Sequence, residues 1–169
     1  MKGNKMTKSF CFNWKVLFLV AASFLLQSCG GTGTIPPEII GQWNSGQHRI
    51  TVRTKPDNEP FQFTSDSAIV KITVNENKTV FGSIGMAEFQ KGKIRKNPRL
   101  PWDTGVGYII ECGSIGKIFI NDPLDTKEVE IWFGSKIINN TVKASIRYTE
   151  GWAKFPMSKV ILIKETSEE

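Results

Sequence analysis

Apolar residues recur at every second position through most of the chain after residue 41, and that spacing restricts the fold more than any other feature. In 48–54, Ile50 and Val52 alternate with Arg49, Thr51 and Arg53; in 68–74, Ala68, Val70, Ile72 and Val74 share one parity. A period of two lines one face of an extended strand, whereas a helix needs 3.6. The same pattern marks 106–112, 115–120, 129–133, 142–148 and 160–163, and a longer run at 80–89 in which Gly82 and Gly85 signal a bulge or bend. With short candidates at 61–63 and 93–96, roughly eight to ten strands are expected. Turn residues separate them at 75–78, 121–125 and Asn139-Asn140, and Gly113-Ser114 reads as a tight hairpin. One helical turn, Pro36 to Ile40, precedes the first strand, and the chain has no internal repeat. The expected fold is all-β: an antiparallel meander closed, or nearly closed, into a barrel. A two-sheet β-sandwich shows the same alternation and stands as the alternative.

The first 28 residues have the order of an export signal: Lys2, Lys5, Lys8 and Lys15 without an acid, then an apolar run at 16–26. That run is far shorter than the roughly 20 residues a membrane span requires. It ends in Leu26-Gln27-Ser28-Cys29, which resembles the lipobox of bacterial lipoproteins. The resemblance implies that Cys29 becomes the acylated first residue of the mature protein; an ordinary signal containing a cysteine is the alternative. The expected organisation is a signal at 1–28, the lipidated cysteine and a flexible linker at 29–35, and a β domain at 36–169. Several acyl chains on one cysteine make a durable anchor, where one chain holds only marginally. Gly30, in place of an aspartate, leans toward the outer membrane, with the domain facing the periplasm.

The net charge of +6 overstates the mature protein, because four of the 22 Lys and Arg residues lie in the signal and 18 remain against 16 acids. That balance, with export, argues against nucleic-acid binding. Cys11 leaves with the signal and Cys29 takes lipid, so Cys112 stands alone and no internal disulfide is expected. Cys112 shares parity with Tyr108 and Ile110 and reads as a small buried side chain.

A helical turn, then Gly41-Gln42-Trp43, then a strand resembles the opening of lipocalin-like proteins. The resemblance implies a calycin-type barrel in which Trp43 closes one end and a basic residue on a late strand packs over it; Arg147 is the expected partner. The family's mid-chain Thr-Asp-Tyr-like turn is missing. The chain also has the look of small envelope lipoproteins of Bacteroidota, and Asp66-Ser67-Ala68 fits a short sequence those bacteria O-glycosylate on the hydroxyl residue. The alternative there is an ordinary turn into a strand.

Catalytic chemistry finds few residues to use. His48 is the single histidine, and there is no His-x-His or Cys-x-x-Cys, so neither a metal site nor a cofactor is expected. Gly82-Ser83-Ile84-Gly85 and Gly113-Ser114-Ile115-Gly116 each fall a residue short of a nucleophile elbow. Asp122, Asp125, Glu128 and Glu130 read as turn residues and a solvated strand face. Lys91, Lys93, Arg95, Lys96 and Arg99 read as a charged edge or as a docking patch for anionic headgroups or an acidic glycan. Trp102 with Asp103, Trp152 and Tyr108 are the candidate ligand contacts, since a loop tryptophan stacks on a sugar or lines an apolar mouth. The expected function is therefore non-enzymatic: a lipid-anchored protein holding a small apolar ligand in its barrel. The alternative is a module that binds a glycan or a protein through its loops over a filled core.

Overall fold

The computed structural model describes residues 33–54, 58–60, 62–98, 105–149 and 158–166. Eight strands follow one another: β1 (Gly41–Thr54), β2 (Gln62–Val74), β3 (Thr79–Ile84), β4 (Ala87–Lys96), β5 (Val106–Ile115), β6 (Lys127–Ile138), β7 (Thr141–Tyr148) and β8 (Ser158–Lys164). Each pairs antiparallel with the next, and β8 returns to β1, so the sheet closes into a meander barrel. Closure settles the choice between barrel and sandwich. The seam is short: Trp43 faces Lys164 and Asn44 faces Ile163. Two further bonds extend it, from Glu165 N to Gln42 O at 2.9 Å and from Thr51 N to Ser158 Oγ at 2.9 Å.

The alternating apolar positions point inward. Ile50 and Val52 of β1, Val70 and Ile72 of β2, Ile110 of β5, Ile131 and Phe133 of β6, Ile146 of β7 and Leu162 of β8 are all buried in one continuous core. An eight-stranded barrel is just wide enough for its own side chains to fill or for one small ligand to occupy, and these large residues project into that interior.

Local backbone chemistry moves several boundaries away from the simple alternation. β1 starts at Gly41, ahead of 48, because a bulge between Asn44 and Gln47 resets its parity. Val70 N donates to Ser45 Oγ at 2.8 Å and Gly46 N to Asn44 Oδ1 at 2.9 Å, so side chains replace the lost ladder bonds. The run at 80–89 is two strands, folded at Gly85 with φ +58°, where a Cβ would lie 2.1 Å from Ile118 O. Residues 62–63 and 93–96 are not separate strands; they belong to β2 and β4, and Phe61 lies outside the described residues. Gly113-Ser114 is not a hairpin. Gly113 has φ +74° beside a register shift, so its left-handed conformation absorbs a bulge while β5 continues to Ile115. The chain reverses later, through 116–126.

Cys112 is buried, as its parity predicts, and Tyr148 places its hydroxyl in the interior without a hydrogen-bond partner among the described residues. Burial, reinforced by the carboxylates of Glu130 and Asp122 respectively, pushes both groups far above their usual range. In the unfolded chain they ionise near their ordinary values of 9.0 and 10.0. Both folded values are raised, so their contribution is intact below pH 9 and is lost as pH rises. Thermal melts from neutral to strongly alkaline pH should show a flat Tm and then a decline, and native Cys112 should resist alkylation until the protein is denatured. Rapid alkylation of the native protein would contradict this burial.

Candidate functional site

The two ends of the barrel differ in chemistry. One rim, here called proximal, gathers the start of β1, the β2–β3 turn, the ends of β4 and β5 around 97–105, the β6–β7 hairpin and the end of β8. Trp43 closes it. Its indole is 1% exposed, its Nε1 donates to Ile39 O at 2.8 Å, and it meets Phe133 edge-on with ring centroids 5.0 Å apart. The basic residue over it is Lys164, whose Nζ is 5.8 Å from the ring centroid and donates to Glu38 O at 3.1 Å and Pro37 O at 3.4 Å. Lys164 thus ties the N-terminal turn to the last strand. Gly41 is needed beside it, with φ +124° and room for a Cβ only 3.0 Å from Lys164 Cε.

Arg147 does not take the role expected for it. It lies on the outer parity of β7, with its guanidinium 3.7 Å from the ring centroid of Trp132 on β6. Trp132 Nε1 donates to Glu130 Oε2 at 2.8 Å, and Arg95 pairs with Glu111 at 2.5 Å and reaches Glu130 at 3.8 Å. A band of alternating charge and aromatic character therefore crosses the outside of β4 to β7. Trp132 is half-buried on this outer face and not in the core. Lys164 continues the inward parity of Val160 and Leu162.

The distal rim is sealed by the β5–β6 connection. Ile118 and Phe119 are buried, and Met86 N donates to Ile118 O at 2.9 Å. Asp122 is no solvated turn residue: at 3% exposure it accepts from Ile118 N at 2.9 Å and Leu124 N at 3.1 Å. Its Oδ2 also meets Lys127 Nζ at 2.5 Å, and that ammonium donates to Gly116 O at 3.0 Å and Leu124 O at 3.1 Å. Glu128 is exposed, as the alternation predicts, whereas Glu130 is half-buried in the outer band.

Among the remaining sequence candidates, Cys29, Arg99, Trp102, Asp103 and Trp152 lie outside the described residues. The described residues flanking 99–104 end at the proximal rim and those flanking 150–157 at the distal rim. Tyr108 lies in β5 beside Glu38, and burial, with that carboxylate adding to it, raises its phenol above the usual range. Tyr108, Glu38, Ile39, Gly134 and Ile137 are among the residues around an open cleft of about 440 Å³ at the proximal rim. Ser67 is exposed within β2 and not at a turn. Among the described residues, no three His, Cys, Asp or Glu side chains converge as a metal site.

Charge is unevenly divided between the rims. Toward the proximal end lie Lys71, Lys78, Lys91, Lys93, Lys96, Lys136 and Lys143, with Glu38, Glu76 and Glu165 as the described acids. Glu59, Asp66, Glu88, Asp122, Asp125 and Glu128 lie toward the distal end, balanced by Arg49, Arg53, Lys117, Lys127, Arg147 and Lys159. The seven proximal lysines form no salt bridge with the described residues.

Fold and rims together define a closed, eight-stranded antiparallel β-barrel with an apolar interior and one basic end. No family model, curated protein or solved structure matches the chain.

Proposed function

We propose that this protein is a lipid-anchored envelope lipoprotein that works without catalysis, as a glycan- or protein-interaction module built on a filled barrel. The observation that carries this reading is the set of large side chains inside the barrel: Trp43, Phe133, Ile72, Ile110 and Ile131 are all buried, and Ile118 and Phe119 of the 116–126 segment are buried at the distal rim. A lipocalin-type ligand would need that space. Anchoring rests on Leu26-Gln27-Ser28-Cys29, and an outer-membrane, periplasm-facing location rests on Gly30. A small apolar ligand remains the second reading, favoured by the 440 Å³ cleft beside Tyr108.

Two measurements test this. Cys29→Ser should move the protein from the membrane fraction to the soluble one; retention in the membrane would overturn the anchor. Native mass spectrometry of protein from its own envelope, before and after organic extraction, should give an unchanged mass for the chain from Gly30. A discrete extractable mass would replace the filled-core module with a carrier.

A further inference from the structure

We infer that the proximal rim is a membrane-docking face, which lies on the anionic phospholipid headgroups of the leaflet that holds the anchor. This deepens the proposed lipoprotein reading and rests on it. Three independent observations converge.

The first is reach. Ile35, the first core residue of the domain, is six positions after Cys29. An extended chain of that length spans at most about 20 Å. An acylated Cys29 would therefore keep the proximal rim, rather than the distal one, within a short distance of the headgroups.

The second is charge. Lys78, Lys93, Lys96 and Lys136 sit on that rim without a salt bridge among the described residues, whereas toward the other end acids and cations balance. Each lysine held near an anionic leaflet strengthens binding about fivefold. The asymmetry also orients the domain, because acids and cations balance toward the distal rim and only the proximal rim carries an excess of positive charge. Glu38, Glu76 and Glu165 oppose the lysines locally but do not outnumber them.

The third is exposed apolar surface in the same place. Ile138, 65% exposed, and Ile163, 54% exposed, both flank Thr141 across the β6–β7–β8 ladder. Side chains of this kind enter the boundary between headgroups and acyl chains when lysines beside them hold the phosphates. Docked in this way, the barrel would turn its distal rim toward partners.

The test uses the soluble chain from Gly30, whose barrel has its own core and closes on itself, so its outcome does not depend on lipidation. Sedimentation is compared with vesicles of pure phosphatidylcholine and of phosphatidylcholine with about one-third phosphatidylglycerol. Binding should be seen only with the anionic vesicles and should weaken as salt is raised. The triple variant Lys93→Glu, Lys96→Glu, Lys136→Glu should lose at least tenfold in binding, and Ile138→Asp a smaller factor. Arg49→Glu with Lys159→Glu, toward the distal rim, should not weaken it. No binding to anionic vesicles, equal binding to neutral ones, or equal loss from both sets of variants would overturn the docking face. Capture of a carboxylated polysaccharide without capture of vesicles would do the same and reassign the rim to a glycan. The mass of the mature N-terminus tests the anchor separately: an unmodified Cys29 would overturn the lipoprotein reading even if the soluble domain binds vesicles.

Discussion

Lys127→Met is expected to destabilise the protein by about 3–5 kcal/mol, the usual consequence of removing one partner from a buried ion pair. The Lys127 ammonium is fully buried and spends its three protons on Asp122, Gly116 O and Leu124 O. Methionine fills a similar volume but leaves the Asp122 carboxylate, itself 3% exposed, with only two backbone donors. The loss would not stay local. Asp122 holds Ile118, and Ile118 O accepts from Met86 at the β3–β4 turn, so the seal over the distal mouth rests on this pair. The double variant Lys127→Met, Asp122→Asn removes the uncompensated charge and should recover part of the loss. Urea unfolding reads both: the single variant should unfold at a midpoint lower by about 1–5 M, given slopes of roughly 1–3 kcal/mol per molar for small domains. A single variant within about 1 kcal/mol of the parent would mean that the pair does not hold the loop.

The strands were legible wherever one face is uniformly apolar. Ala68, Val70, Ile72 and Val74 alternate without interruption, and β2 carries them inward as the pattern requires. Legibility failed where a polar residue sits on an inward position. Lys127 precedes Val129, Ile131 and Phe133 on the same parity, yet a lysine at a strand start reads as solvated unless its partner is known. That partner, Asp122, comes from a loop whose path no local pattern dictates. The same reason hid the lysine over Trp43. Arg147 and Lys164 are both basic residues on late strands, and only the parity of β8, which continues from Leu162, points Lys164 toward the barrel end. Gly113 misled in the opposite direction: a left-handed glycine serves a bulge as readily as a hairpin, and the choice depends on pairing with β6. The basic rim was visible only in part, because the run at 91–99 is continuous in sequence whereas Lys78 and Lys136 join it through the closure of the barrel.

Trp43→Ala is expected to cost about 3–5 kcal/mol, the range for truncating a buried aromatic, and it bears on function as well as stability. The indole joins three parts of the proximal rim: the N-terminal turn through Ile39 O, β6 through Phe133, and β8 through Lys164. Removing it leaves a cavity under the turn and frees the Lys164 ammonium from the ring, although its bonds to Pro37 O and Glu38 O do not depend on the indole. Trp43→Phe separates the contributions. It keeps most of the apolar volume and gives up the Nε1 bond, so its cost should be clearly smaller than that of alanine. If the barrel is a filled scaffold, Trp43→Ala should also gain uptake of a small apolar probe that the parent excludes, because the new space lies on the barrel axis. Uptake of the same probe by the parent would argue that the interior already admits a ligand and would favour the carrier reading. Loss of stability without any uptake would mean that the rim collapses onto the vacated volume, leaving the filled-core module as the better account.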